Sequence, residues 1–149
     1  MTFTQSVKTC LIDKFFNFKE RASRSEFWWF MLFKWLFVFF ITVPISLLSE
    51  FSAMIAYFVI TLVLLFPTIA VIARRSHDYF EENTDTEDPA IGNILLLLLP
   101  WILTLINFMT NNSIFTLIAG ISQLCILVLI IHMIKPSHVY ANKYGEKPE

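Results

Sequence analysis

Four long apolar stretches, at 27–48, 51–73, 91–109 and 114–134, alternate with polar ones along the chain. A helix needs about 20 predominantly apolar residues to cross the ~30 Å hydrocarbon core of a bilayer, and each stretch comes close to or exceeds that length. The second carries no charge at all. The first pair is joined only through Ser49 and Glu50, and the last pair through a polar turn at 110–113. The pattern predicts an all-α integral membrane protein with four transmembrane helices as two hairpins, forming a single membrane domain over 1–149. Ahead of them, Phe3, Val7, Leu11, Phe15 and Phe18 recur every three or four residues, the spacing of one helix face. A short N-terminal amphipathic helix is expected there, lying in the membrane interface or on the protein's own surface.

Composition and charge add an orientation. Only 15% of residues are charged and mean hydropathy is +0.65, against about 25% charged in soluble domains. A net charge of −1 provides no broad field for nucleic acid, so no nucleic-acid partner is expected. Of the eleven Lys and Arg, all but Lys34 lie in the N-terminal segment, at Arg74 and Arg75, or in the tail. The two short turns have none. Because cytoplasmic loops carry the excess of Lys and Arg, both termini and the 74–90 loop are expected in the cytoplasm. The acids Asp78, Glu81, Glu82, Asp85, Glu87 and Asp88 do not overturn this, because the tendency counts cations.

Interruptions of the apolar pattern are the candidate chemistry. Lys34 stands inside the first stretch, where an intramembrane charge marks a functional site or snorkels to the headgroups. No carboxylate lies in any of the four stretches to pair with it, which favours snorkelling. Gly120, Ser122 and Gln123 suggest a helix-contact face, and His132 is expected to reach headgroup water. The acidic run lacks the alternation and central glycine of a calcium loop, and no zinc-spaced His/Cys set or phosphate-cradling glycine loop is present. No cofactor and no metal are expected. Cys10 and Cys125 share no motif.

The chain's densest polar information sits where charge meets the first apolar stretch, in Arg21-Ala22-Ser23-Arg24-Ser25-Glu26-Phe27-Trp28-Trp29-Phe30, and where the second ends, in Arg74-Arg75-Ser76-His77-Asp78. Trp28 and Trp29 are expected as interface anchors, since amphipathic rings favour headgroup depth. Antiparallel helices joined by a short turn bring both segments to one membrane face. Arg21, Arg24, Glu26, Arg74, Arg75, His77 and Asp78 therefore form a predicted cytoplasmic-face cluster. Glu26 is expected to pair with Arg74 or Arg75, and Asp78 with Arg21 or Arg24. The cluster either staples the hairpin or binds anionic headgroups.

These two motifs, with Asn142-Lys143-Tyr144-Gly145 and Pro148 in the tail, resemble in order and spacing those of the small bacterial inner-membrane family known as domain of unknown function 805. The second motif departs from the family's usual Ser-Gly-Trp continuation, having Tyr79-Phe80 and the acidic run instead. The resemblance implies a four-helix inner-membrane protein, with Asn142, Tyr144 and Gly145 as a tail motif, and supplies no reaction. Three functions compete. First stands a lipid- or partner-binding interaction or scaffold protein, with membrane lipid, a second copy or another membrane protein as partner. An oligomeric channel or small transporter comes second, lined by residues such as Asn93, Asn107 and Gln123. A headgroup-modifying enzyme using His77 and Asp78 comes third; adjacent His and Asp seldom face each other, so no catalytic residues are assigned and no enzymatic activity is expected.

Overall fold

A computed structural model of the chain describes residues 1–79, 88–110, 112–138, 140, 141, 143–146 and 148. All its elements are helical: α1 (Phe3–Lys8), continued by a π-helical turn (Thr9–Asp13), α2 (Arg24–Ser46), α3 (Glu50–Tyr79), α4 (Pro89–Thr110), α5 (Ser113–Ser122) and α6 (Leu124–Ile134). Four helical stretches are long and apolar enough to cross a membrane: α2, α3, α4, and α5 with α6 taken together. They are arranged as two hairpins. The first, α2–α3, meets the second mainly where α4 and, to a lesser extent, α6 contact α3.

Local sequence explains the element ends. Ser23 caps α2, its hydroxyl accepting from the Glu26 amide at 3.2 Å, so the helix starts three residues before the apolar stretch. Glu26 thereby falls in the first turn, where the helix dipole favours an anion. The α3 helix does not stop at Ala73. It runs on to Tyr79, thirty residues in all, about 45 Å at 1.5 Å per residue. That exceeds the hydrocarbon thickness, and its last turns carry Arg74, Arg75, His77 and Asp78 beyond the apolar stretch.

The N-terminal segment differs from the expected stripe. Its helix ends at Asp13, and the side chains it buries are Ser6 and Cys10; Phe3, Ile12, Phe16 and Phe18 are exposed. Polar bonding explains the rotation. The Ser6 hydroxyl donates to the Glu26 carbonyl at 2.6 Å, and Cys10 lies against the Glu26 carboxylate. The fourth span also differs, breaking at Gln123. There the Gln123 amide bonds back to Gly120 at 3.2 Å, while the Ser122 hydroxyl and the Gln123 side chain both donate to the Ala119 carbonyl. Side chains competing for a helix carbonyl are a recognised cause of such bends. Of the expected contact face only Ser122 is buried, beside Ala119, whereas Gly120 and Gln123 are exposed.

The tightest core gathers at one end, around Cys10, Ala22, Phe27, Phe30, Val71, Ile72, Leu129 and Met133. Along the rest of the spans, large apolar side chains such as Trp35 and Phe40 face outward, as lipid-facing surfaces do.

Candidate functional site: a buried charge cluster at one end of the bundle

The end that holds the core also holds the charges. A backbone tie sets the geometry, the Ala22 amide donating to the Arg74 carbonyl at 3.0 Å. This brings Glu26 to Arg74 and Arg21 to Asp78, one turn apart on α3. Arg74 pairs with Glu26 and donates to the Cys10 sulfur at 3.7 Å. Asp78 is held from two sides. Arg21 reaches one carboxylate oxygen, Nε at 3.1 Å and Nη2 at 3.0 Å, and Arg75 pairs with the other. Arg21, Arg74, Arg75, Glu26 and Asp78 are all at most 4% exposed.

Three buried cations thus face two buried anions, and backbone carbonyls complete the balance. Arg75 donates to Met133 at 3.2 Å and also to Lys135. Both carbonyls lie at the C-terminal end of α6, the negative pole of a helix. Arg21 donates to the tail carbonyls of His138 (2.8 Å), Tyr140 (3.0 Å) and Gly145 (3.2 Å). The His138 amide returns a bond to the Asp78 carbonyl at 2.8 Å. Gly145 adopts φ 124°, a backbone region that side-chain-bearing residues rarely occupy. Burial and the neighbouring Glu26 carboxylate push the Cys10 thiol up to about 12, so it stays protonated and can donate to that carboxylate.

His77 faces elsewhere. Its Nε2 lies 3.1 Å from Asp88, and its ring stacks on Tyr144 at 3.6 Å and 3°. The adjacent Asp78 turns to the arginines. Arg24 is exposed and forms no ion pair among the described residues. Trp28 and Trp29 are 38% and 40% exposed, and Trp29 meets Phe3 edge-on at 5.8 Å. Asn142 and the acids Glu81, Glu82, Asp85 and Glu87 lie outside the described residues.

A second polar set sits just inside the first and was not assembled from the sequence. Asn93 donates to the Ser76 hydroxyl at 2.8 Å and to the Tyr79 hydroxyl at 2.5 Å, while its carbonyl meets His132 Nδ1 at 2.8 Å. An amide carbonyl can only accept, so Nδ1 carries the proton in this contact. His132 thus bonds into the bundle through Nδ1 while the residue itself stays half-exposed. Three helices, α3, α4 and α6, share this junction. The signal in the sequence was a lone asparagine near the start of an apolar stretch, together with a histidine near the end of another. Ser6, Cys10 and His138 had no such signal, because their roles come from bonds to main-chain and buried groups far away in sequence.

Four apolar helices closed at one end by a buried ionic cluster define a multi-pass membrane protein. The chain belongs to the family described as "Protein of unknown function (DUF805)", whose profile it matches over residues 15–146. No curated protein and no solved structure matches it.

Proposed function

We propose that this is a lipid- or partner-binding interaction protein of the bacterial inner membrane, with both termini and the α3–α4 connection on the cytoplasmic side. The observation that carries the reading is the N-terminal segment. It is pinned from beneath by Ser6 and Cys10, yet it leaves Ile12 and Phe16 71% and 65% exposed. Such a ridge is favourable in the headgroup–acyl boundary and costly in water. Exposed Lys8, Lys19 and Arg24 lie on the same segment or just after it, each worth about 1 kcal/mol against an anionic membrane surface. On this reading the buried arginines are the frame, and the exposed segment they hold is the contact surface.

The other readings rank lower on specific grounds. Channel or transport function ranks lower because Asn93, Asn107 and Gln123 are each engaged in bonds within the chain. Headgroup chemistry by His77 and Asp78 is disfavoured because both Asp78 oxygens are held by arginines. The test is a spin label at Phe16→Cys in a Cys10→Ser/Cys125→Ser background, in lipid nanodiscs. Preferential collision with oxygen over a water-soluble nickel chelate is expected; a label open to the chelate overturns the proposal.

A further inference from the structure

A cleft of about 480 Å³ opens beside α2. Its walls include Trp35, Val38 and Phe39 of α2, Trp101 of α4, and Ile126 and Ile130 of α6. Trp35 and Phe39 are 64% and 56% exposed, so the cleft opens sideways, toward the lipid. Among the described residues, Lys34 is the one charged side chain that lines it. No ion pair or hydrogen bond reaches the Lys34 ammonium among the described residues, and the nearest acid on its own helix, Glu26, is taken by Arg74. The threonines of the lining offer no competing donor. Thr42, Thr61 and Thr104 each give their proton to a carbonyl of their own helix, at 2.8, 2.7 and 2.7 Å.

An ammonium in an apolar cleft without a counter-charge is costly, and an occupant bearing an anion relieves it. The position specifies the occupant further. Trp28 lines the same cleft six residues earlier, about 9 Å of helix rise. Helical side chains lean toward the helix N-terminus, so the ammonium lies toward the Trp28 end of the cleft. In the other direction the cleft continues to Thr42, about 12 Å beyond Lys34, which approaches the roughly 15 Å depth of one leaflet's hydrocarbon. An anion at one end, an acyl-length apolar trough below it and a mouth facing the leaflet together match one kind of molecule. We propose that the cleft binds an anionic phospholipid, its phosphate on Lys34 and one acyl chain along the Trp35–Phe39 wall. The second chain stays in the bilayer through the open side.

This site is separate from the Ile12–Phe16 ridge, and its test has a different readout. The purified full chain is equilibrated with equal amounts of phosphatidylglycerol and phosphatidylethanolamine, and retained lipid is weighed by native mass spectrometry. Wild type is expected to retain phosphatidylglycerol preferentially. Lys34→Met should lower that retention about fivefold, the scale of one basic residue against an anionic headgroup, whereas Lys34→Arg should keep it. Val38→Trp, which fills the trough while leaving Lys34 in place, should also lose the lipid. Equal retention of the two lipids by wild type overturns the proposal, as does unchanged retention in Lys34→Met. Capture of a free fatty acid in place of a phospholipid overturns the assignment of the occupant.

Discussion

The two ends of the bundle are held together by different physics. At the charged end, α1, the 21–23 segment, α3, α6 and the tail converge on two carboxylates, and those carboxylates and the three arginines on them are buried. At the opposite end, among the described residues, each hairpin is closed by local devices. The Ser49 hydroxyl accepts from the Ser52 amide at 3.3 Å, Asn112 caps α5 through the Ile114 amide at 2.9 Å, and Thr116 donates to Asn107 at 2.8 Å. Leu47 and Leu48 are 83% and 88% exposed there. Between the hairpins that end offers ring contacts such as Phe58 with Phe108 at 5.5 Å. Register and partner choice are thus set where charges must find each other, because an apolar contact in lipid is easily replaced by a lipid tail.

Removing the shared anion should break the comparison most severely. Asp78→Asn leaves Arg21 and Arg75 buried without their counter-charge, and losing one partner of a buried pair costs about 3–5 kcal/mol. A large loss of thermal stability in nanodiscs is expected, and a melting curve matching wild type would mean that the carbonyls alone hold the arginines. A smaller, localised effect is expected from Gly145→Ala. A non-glycine residue in a sparsely populated backbone region costs about 1–3 kcal/mol. Hydrogen exchange should rise in the 135–146 tail while the apolar helices keep their protection; uniform protection throughout would show that this carbonyl is dispensable to Arg21. At the far end, Thr116→Val removes one exposed hydroxyl, shared between Asn107 and the Asn112 carbonyl, and should change stability by no more than about 1 kcal/mol. A loss as large as that of Asp78→Asn would erase the distinction between the ends.

The apolar pattern made the fold legible because a membrane span is written in one continuous segment. The four helices follow from it directly, and what it missed lies at their ends. The α3 helix runs past Ala73 because charged side chains that are neutralised by partners need not end a helix, and those partners sit tens of residues away. The pairing of Glu26 with Arg74, and of Asp78 with Arg21, lay within the expected options, since a hairpin brings those ends together. The second arginine on Asp78, the tail carbonyls under Arg21 and the rotation of α1 toward Ser6 and Cys10 were hidden. Main-chain acceptors carry no letter in a sequence. The break at Gln123 was hidden for a related reason: it depends on two side chains reaching the same carbonyl.

The bond from Arg21 to the Gly145 carbonyl spans 124 positions, which gives the cluster a place in time as well as in space. On a growing chain the first hairpin can insert as soon as Tyr79 has been made, but two of its arginines then lack the carbonyls that later surround them. Asp78, made with them, pairs both; the Met133 carbonyl reaches Arg75 only with α6, and the carbonyls of His138, Tyr140 and Gly145 reach Arg21 after it. A chain stopped at Ile134 would carry all four candidate spans and both ion pairs to Asp78, and would still leave Arg21 without the carbonyls of His138, Tyr140 and Gly145. The tail thus closes the hydrogen bonding of a guanidinium made 117 positions before the first of its tail carbonyls.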